Sequence, residues 1–233
     1  MKVHVVSGVL DEELFGTLVV VDVLRSSSTI VAALSNGAKA IIPFTDAGDA
    51  IKVRGGFRHS SVVLVGEKNG ITPRGFDYNI SPFDMSKENV EGKTILYTST
   101  NLTRVLGKLR GRNPVTIGGI VNAKATADYL RSTDHDATII ACGTPKGTTV
   151  EDMAGAGAIA SYLMSNDLSD DALVTAGFYK NPKWRSLVKR GHIAKRLLNL
   201  GFRRDIDFCL SPNISPIVPG LRGNKIVNLR QKK

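Results

Sequence analysis

Short apolar runs rich in β-branched residues alternate along the chain with longer amphipathic or alanine-rich runs. Residues 17–23, TLVVVDV, are almost entirely apolar, which is typical of a strand buried on both faces of a parallel sheet. A helix is predicted at residues 27–36, with Ser26 or Ser27 as its N-cap and Gly37 as its stop. A strand followed by a helix in this way predicts a right-handed βαβ unit.

The same alternation recurs through most of the chain. It predicts further strands at residues 40–44, 61–66, 93–98, 114–118 and 137–142, and final strands at 205–210 and 225–229. It predicts further helices at residues 46–54, 101–109, 122–131, 150–165 and 167–176, and a basic helical region at 184–200 interrupted near Gly191. We therefore expect an α/β protein, a three-layer α/β/α sandwich around a mostly parallel, mixed sheet.

Residues 67–92 do not follow the alternation, since they hold several glycines and prolines and show no clear period. They are predicted to form a long loop over the sheet, with at most one strand, and long loops are often functional. We expect one domain over residues 1–233, with this loop as the place where a subdomain junction would fall.

Composition narrows the functional classes. The 233 residues carry 31 Lys and Arg against 21 Asp and Glu, a net charge of +10, with the excess concentrated at residues 180–204. Such a surface can attract nucleic acid or small anions, although a solvated basic face is the plainer interpretation.

The two cysteines form no disulfide framework, and neither a secretory signal nor a membrane-spanning run is found, so we expect a cytoplasmic protein without a membrane partner.

Polar side chains follow five of the predicted strands. Because ligands of open α/β sheets bind beyond the carboxyl ends of the strands, these residues are the candidate site. They are Asp22, Arg25, Ser26 and Ser27 after the first strand, then Glu67, then Thr100 and Asn101, then Asn122, and finally Glu151 and Asp152.

These residue types suit an anionic substrate and a hard metal ion. Hydroxyls at helix N-termini bind phosphate or sulfonate, and Arg25 can bind two anion oxygens at once. Carboxylates are the ligands that Mg²⁺ prefers, together with water and phosphate oxygens. Each residue also has a structural interpretation, because Asp22 could pair with Arg25, serines commonly cap helices, and acids such as Glu151 and Asp152 are favoured in a first helical turn.

Several familiar motifs are missing. The chain has no P-loop and no GxGxxG after a strand, and residues 22–24 lack the second Asp of the aspartyl-phosphate phosphatases. Cys142 is not followed by an Arg at the spacing of the cysteine phosphatases, and it is interpreted as a small buried residue.

The chain resembles the 2-phosphosulfolactate phosphatase family. The resemblance rests on VVVDVLRSSSTI at residues 19–30, where the family reads like DVLRASTT, and continues to about residue 160. It includes NGA at 36–38, GE at 66–67, GFD at 75–77, SP at 81–82, TSTN at 98–101, Asn122 and ED at 151–152. Two departures are Leu102, where the family usually has Gly, and Ile80, where it has a polar residue.

The resemblance implies Mg²⁺-dependent hydrolysis of (R)-2-phospho-3-sulfolactate to 3-sulfolactate and phosphate, a step of coenzyme M biosynthesis. We expect Asp22, Arg25 and Glu151 to be catalytic and Asp22, Glu67 and Asp152 to bind Mg²⁺. The expected substrate-binding residues are Ser26, Ser27, Thr100, Asn101 and Asn122. A related phosphorylated hydroxy acid as substrate, a non-catalytic anion-binding homologue, a nucleic-acid-binding protein and a homodimer remain open alternatives.

Overall fold

The apolar run after Gly16 forms strand β2 (Thr17–Val21), which lies within the sheet and is buried along its whole length. Its side chains alternate between two hydrophobic cores. Val19 and Val21 pack into the core on one face, and Leu18 and Val20 pack into the core on the other. The strand is therefore covered on both faces, as its sequence predicted.

The computed structural model describes residues 1–8, 13–112, 114–164 and 167–230. These residues form one mixed sheet with ten strands in the described part of the chain. The other strands are β1 (Lys2–Ser7), β3 (Ala40–Phe44), β4 (Val62–Gly66), β5 (Thr94–Thr98), β6 (Val115–Gly118), β7 (Ala137–Ala141), β8 (Asp167–Leu168), β9 (Pro219–Arg222) and β10 (Lys225–Asn228).

The spatial order of the strands is β4-β5-β3-β10-β9-β6-β2-β7-β1-β8. Two parallel groups, β4-β5-β3 and β6-β2-β7-β1-β8, are joined by the antiparallel hairpin β9–β10. The hairpin meets each group through one residue pair, Ile226 with Ile41 and Gly220 with Thr116. The expected α/β sandwich with a mostly parallel, mixed sheet is confirmed.

Helices occupy both faces of this sheet. They are α1 (Ser26–Ser35), α2 (Ala47–Arg54), α3 (Lys87–Val90), α4 (Leu102–Lys108), α5 (Ala123–Thr133), α6 (Val150–Ser161), α7 (Asp170–Lys180), α8 (Trp184–Lys189), α9 (His192–Asn199) and α10 (Arg203–Cys209). In the described residues, no helix has both the length and the apolar character needed to cross a bilayer.

Three local predictions were wrong. The final strand expected at 205–210 is helix α10, because Asp205, Ile206 and Cys209 are buried at helical spacing. The helix expected from 167 begins instead at Asp170, after strand β8, where the Ser169 hydroxyl accepts the amide hydrogen of Ala172. Helix α1 is capped at Arg25 rather than at a serine.

Other differences between the prediction and the structure concern strands and a helix end that the sequence pattern indicates only weakly. Strand β1 was not predicted, nor was β9, which begins with Pro and Gly, two poor strand formers. Helix α6 ends at Ser161, and the predicted end at 165 lies outside the described residues. In the long loop, the described backbone forms a 3₁₀ turn at Pro82–Asp84 and the short α3.

Candidate active site

The loops that follow β2, β4 and β5 meet around a small cavity, which we call the carboxylate cavity. Its volume is about 20 Å³, enough for one water molecule. It is lined by Asp22, Leu24, Arg25, Ser26, Glu67, Gly70, Ile80, Thr100, Asn101, Ile193, Arg196 and Leu197. The fold thus brings together six of the ten predicted site residues at the carboxyl edge of the sheet.

Asp22 is buried directly after β2. Its Oδ2 accepts the amide hydrogen of Leu102 at 3.1 Å, and its own N–H donates to the Ser27 hydroxyl at 2.9 Å. Burial raises the pKa of Asp22 to about 6, and the nearby charges of Glu67 and Glu151 add to this rise. A carboxyl group titrating near neutrality is suited to proton transfer or ion binding.

Glu67 follows β4 and is held by two backbone amides. Its Oε2 accepts from Gly70 N and its Oε1 accepts from Thr100 N, both at 2.6 Å. The Thr100 hydroxyl in turn accepts from Asn69 N at 3.3 Å. Glu67 therefore ties the loop after β4 to the loop after β5 and fixes Thr100 at the cavity.

Glu151 and Asp152 lie in the first turn of α6, both buried. Asp152 accepts amide hydrogens from Val23 at 2.7 Å and Gly143 at 2.9 Å, so it anchors the ends of β2 and β7. Burial raises the pKa of Asp152 well above its ordinary value, and the charge of Asp22 adds to this. Asp152 and Glu151 do not line the carboxylate cavity, although both interact electrostatically with Asp22.

Arg25 is engaged by the protein itself. Its Nη1 donates to Asp205 Oδ2 and its Nη2 to Asn79 Oδ1, each at 2.6 Å. The guanidinium also lies over the ring of Phe202, 4.0 Å from its centre. Arg25 lines the cavity, but the ends of its guanidinium are directed at these partners and it does not pair with Asp22.

The predicted substrate-binding residues divide into two groups. Ser26, Thr100 and Asn101 line the carboxylate cavity. Ser27 instead accepts the Asp22 amide hydrogen. Asn122 accepts from Gly119 N at 2.9 Å and donates to two backbone carbonyls, so it connects the end of β6 to the chain near residue 217 and does not line the cavity.

Three buried polar atoms near this site have no hydrogen-bond partner among the described residues. They are Asn101 Oδ1, Glu151 Oε2 and the Tyr97 hydroxyl. Burial raises the pKa of Tyr97 well above its ordinary value, and the nearby Ser26 side chain opposes this rise while Asp22 and Glu67 add to it, so the hydroxyl keeps its proton. Nothing in the sequence pattern singled out Tyr97, which lies within the apolar run of β5. Unpartnered buried polar atoms are costly, so each of these three atoms is a candidate contact for water, an ion or a ligand.

Helix α9 lines the carboxylate cavity through Ile193, Arg196 and Leu197. Burial raises the pKa of Glu151, and the charge of Arg196 opposes this rise. The basic stretch at residues 180–204 was interpreted from the sequence as a solvated face. It nevertheless contributes one cation, Arg196, to the site. Its signal was the amphipathic spacing of α9, whose residues Ile193, Ala194 and Leu197 are buried.

The acidic residues do not form a ready-made metal centre by themselves. Among residues 1–8, 13–112, 114–164 and 167–230, no group of three or more His, Cys, Asp or Glu side chains is arranged to hold a metal ion. Mg²⁺ requires fewer protein ligands than such a group, because it is commonly bound by one or two carboxylates, and water and substrate oxygens complete its coordination shell. The Asp22 carboxylate and the unpartnered Asn101 Oδ1 at the cavity are oxygen donors of that kind.

Known proteins resemble this chain over nearly its whole length. The family model described as 2-phosphosulpholactate phosphatase matches residues 3–224. Proteins named probable 2-phosphosulfolactate phosphatase are 37% identical in Thermotoga petrophila, over 88% of each chain, and 36% identical in Caldanaerobacter subterraneus, over 92% of this chain and 90% of that protein. A protein of the same name in Carboxydothermus hydrogenoformans is 38% identical over 87% of this chain and 84% of its own. The chain therefore belongs to the 2-phosphosulfolactate phosphatase family.

Proposed function

We propose that the protein hydrolyses 2-phospho-3-sulfolactate to 3-sulfolactate and phosphate in a Mg²⁺-dependent reaction. The observation that carries this proposal is the carboxylate cavity, where Asp22, with a pKa of about 6, faces Asn101 and Arg196 under helix α9. The relatives' names, which refer to the same substrate, support it.

Mg²⁺ fits the residues present at the cavity. Asp22 and Asn101 Oδ1 would hold the ion, with Glu67 beside them, and substrate and water oxygens would complete the shell. When bound, the ion would neutralise charge on the phosphoryl oxygens. Asp152 as a ligand stays a prediction, since Asp152 does not line the cavity.

The protein's own groups would share the remaining tasks. Glu151, with its unpartnered Oε2 and raised pKa, would accept a proton from the attacking water. Tyr97 would donate its hydroxyl hydrogen to a substrate oxygen, and Arg196 would attract the phosphate. Arg25 would act as a positioning residue, because Asp205 and Asn79 hold its guanidinium.

The two departures from the family pattern have different consequences in the fold. The Leu102 side chain is part of the core around β5, and only its backbone N–H reaches the site, where it donates to Asp22. Ile80 lines the cavity directly. Leu102 is therefore compatible with the proposed substrate, and Ile80 is the change that would alter substrate choice.

Phosphate release tests the function. The substrates would be racemic 2-phosphosulfolactate, phosphoglycolate and phospholactate, each assayed with Mg²⁺ and then with a chelator. We expect chelator-sensitive release from phosphosulfolactate, at a higher kcat/KM than from the other two. Release from the other acids alone would keep the phosphatase chemistry but contradict the substrate. No release from any of the three would contradict the proposed function and favour a role in anion or nucleic-acid binding.

A further inference from the structure

A second pocket lies beside the carboxylate cavity at the same edge of the sheet. We call it the basic pocket, and its volume is about 470 Å³. It is lined by Thr45, Ser99, Thr100, Thr103, Arg104, Gly107, Lys108 and Arg110. Thr45 follows β3, and Thr100 follows β5 and lines both sites, so the two are neighbours across one residue.

The two sites have opposite charge. Among the residues that the structure describes, the basic pocket is lined by three cationic side chains and no carboxylate, whereas the carboxylate cavity contains Asp22 and Glu67. A cleft lined by one sign of charge concentrates ligands of the other sign. Arginine and lysine are the side chains that bind carboxylate, sulfonate and phosphate oxygens most strongly.

Hydrogen bonds within the protein fix part of this pocket in place. The Arg104 guanidinium donates to the carbonyl oxygens of Gly8 at 3.1 Å and Cys142 at 3.0 Å. The hydroxyls of Ser99 and Thr100 accept backbone amide hydrogens, so their own hydrogens remain available to a bound anion. The pocket therefore offers charge and hydroxyl donors together.

Size separates the roles of the two sites. The carboxylate cavity, at about 20 Å³, cannot enclose an acid that carries three anionic groups, and the basic pocket has ample volume for such a molecule. We propose that the basic pocket binds the sulfonate and carboxylate arms of the substrate while its phosphate group meets the carboxylate cavity across Thr100. This assignment rests on the proposed function and makes Lys108 and Arg110 specificity-determining residues.

The test compares a double variant of the pocket with a matched control. The variant is Lys108→Gln with Arg110→Gln, and the control is Lys180→Gln with Lys183→Gln, which removes the same charge from exposed positions away from both sites. Lys108 and Lys180 each end a helix, so the substitutions are alike in setting. Steady-state kinetics would use phosphosulfolactate and phosphoglycolate, which lacks the sulfonate. Calorimetry would measure the binding of 3-sulfolactate itself.

We expect the pocket variant to raise KM for phosphosulfolactate at least about tenfold, with a smaller rise for phosphoglycolate and little change in kcat. Its affinity for 3-sulfolactate should fall by a similar factor, and the control should match the wild type. Equal behaviour of the variant and the control would overturn the assignment, as would the same rise in KM for both substrates.

If the wild type releases no phosphate, the proposed function fails, and the binding of 3-sulfolactate alone then tests the assignment of the basic pocket. Loss of that binding in the variant supports the site, and unchanged or undetectable wild-type binding overturns it.

Discussion

The Arg25 guanidinium donates to Asp205 Oδ2 at 2.6 Å and so joins two residues that are 180 positions apart in the chain. Both side chains are almost fully buried. The other oxygen of Asp205 accepts from the Ser81 hydroxyl at 2.9 Å, and Asn79 holds the second nitrogen of Arg25. Asp205 thereby links the start of α1, the loop after β4 and helix α10 around the carboxylate cavity.

Removing Asp205 should destabilise the protein far more than removing its neighbour Asp207. Asp205→Ala leaves the Arg25 charge buried without its partner, which should lower the free energy of unfolding by about 3–5 kcal/mol. Asp207 pairs with Lys189 on the surface at 2.7 Å, so Asp207→Ala should cost no more than about 1 kcal/mol. Urea unfolding of the two variants measures the difference in their free energies of unfolding. Equal losses would show that the buried pair of Arg25 and Asp205 contributes no more to stability than the surface pair of Lys189 and Asp207.

Asp22→Asn should abolish turnover and leave the fold intact. The amide keeps an oxygen for the Leu102 N–H but loses the charge that would bind Mg²⁺, so we expect kcat/KM to fall at least about 100-fold. Phosphate release with Mg²⁺ measures the loss, and the far-ultraviolet circular dichroism spectrum should match that of the wild type. Full activity in this variant would remove Asp22 from the mechanism.

The same variant should become relatively more stable as pH rises. Burial raises the pKa of Asp22 from 3.8 to about 6, so between these values the folded protein binds more protons than the unfolded chain. The free energy of unfolding therefore falls with rising pH, by up to about 3 kcal/mol from this group. In chelator, Asp22→Asn should exceed the wild type in stability at pH 7 and match it near pH 4. Urea midpoints measured across that range would contradict the shift if the difference between the two proteins stayed constant.

The sequence predicted the parts of this site that follow from local pattern. Asp22 and Glu67 end strands whose apolar runs are easily recognised, and the rule that parallel strands present their carboxyl ends together placed them at one edge. Asp205 could not be found in this way, because its role depends on a contact with Arg25 across 180 residues. Tyr97 lies in an apolar strand, and only its three-dimensional surroundings show that its hydroxyl has no hydrogen-bond partner among the described residues. Arg196 of α9 lies in a basic stretch whose sequence is typical of a solvated surface, so the sequence did not indicate that it lines the cavity.

Two glycines of α6, Gly155 and Gly157, contact different neighbours. A methyl group on Gly155 would come within 2.4 Å of Val23 beside the sheet, and one on Gly157 would come within 2.0 Å of the Thr175 carbonyl oxygen of α7. The absence of a side chain at Gly155 thus permits close packing of α6 on the sheet, and Gly157 permits the close contact between α6 and α7.

Alanine at position 157 and alanine at position 177 should therefore have opposite effects. Gly157→Ala collides with backbone that cannot rotate away, so we expect a loss of about 1–3 kcal/mol or more. Gly177 lies inside α7, and no atom of the described residues lies within 4 Å of the added methyl, so Gly177→Ala should gain about 0.5–1 kcal/mol from helix propensity. Thermal unfolding of both variants tests the pair, and a stabilised Gly157→Ala would show that α6 and α7 are less closely packed.

Removing the Tyr97 hydroxyl should impair turnover without weakening the fold. The hydroxyl is buried and has no hydrogen-bond partner in the part of the chain that the structure describes, so Tyr97→Phe should leave the free energy of unfolding unchanged or raise it. If the hydroxyl donates to the substrate, kcat/KM should fall about tenfold or more. The matched control is Tyr78→Phe, because the Tyr78 hydroxyl donates to Asn89 at 3.0 Å, whereas the Tyr97 hydroxyl interacts electrostatically with Asp22 and Glu67. That variant should lose about 1 kcal/mol of stability and keep its activity. Unchanged kinetics in Tyr97→Phe would leave the hydroxyl outside the reaction, and a marked loss of its stability would show that the hydroxyl already has a partner within the protein.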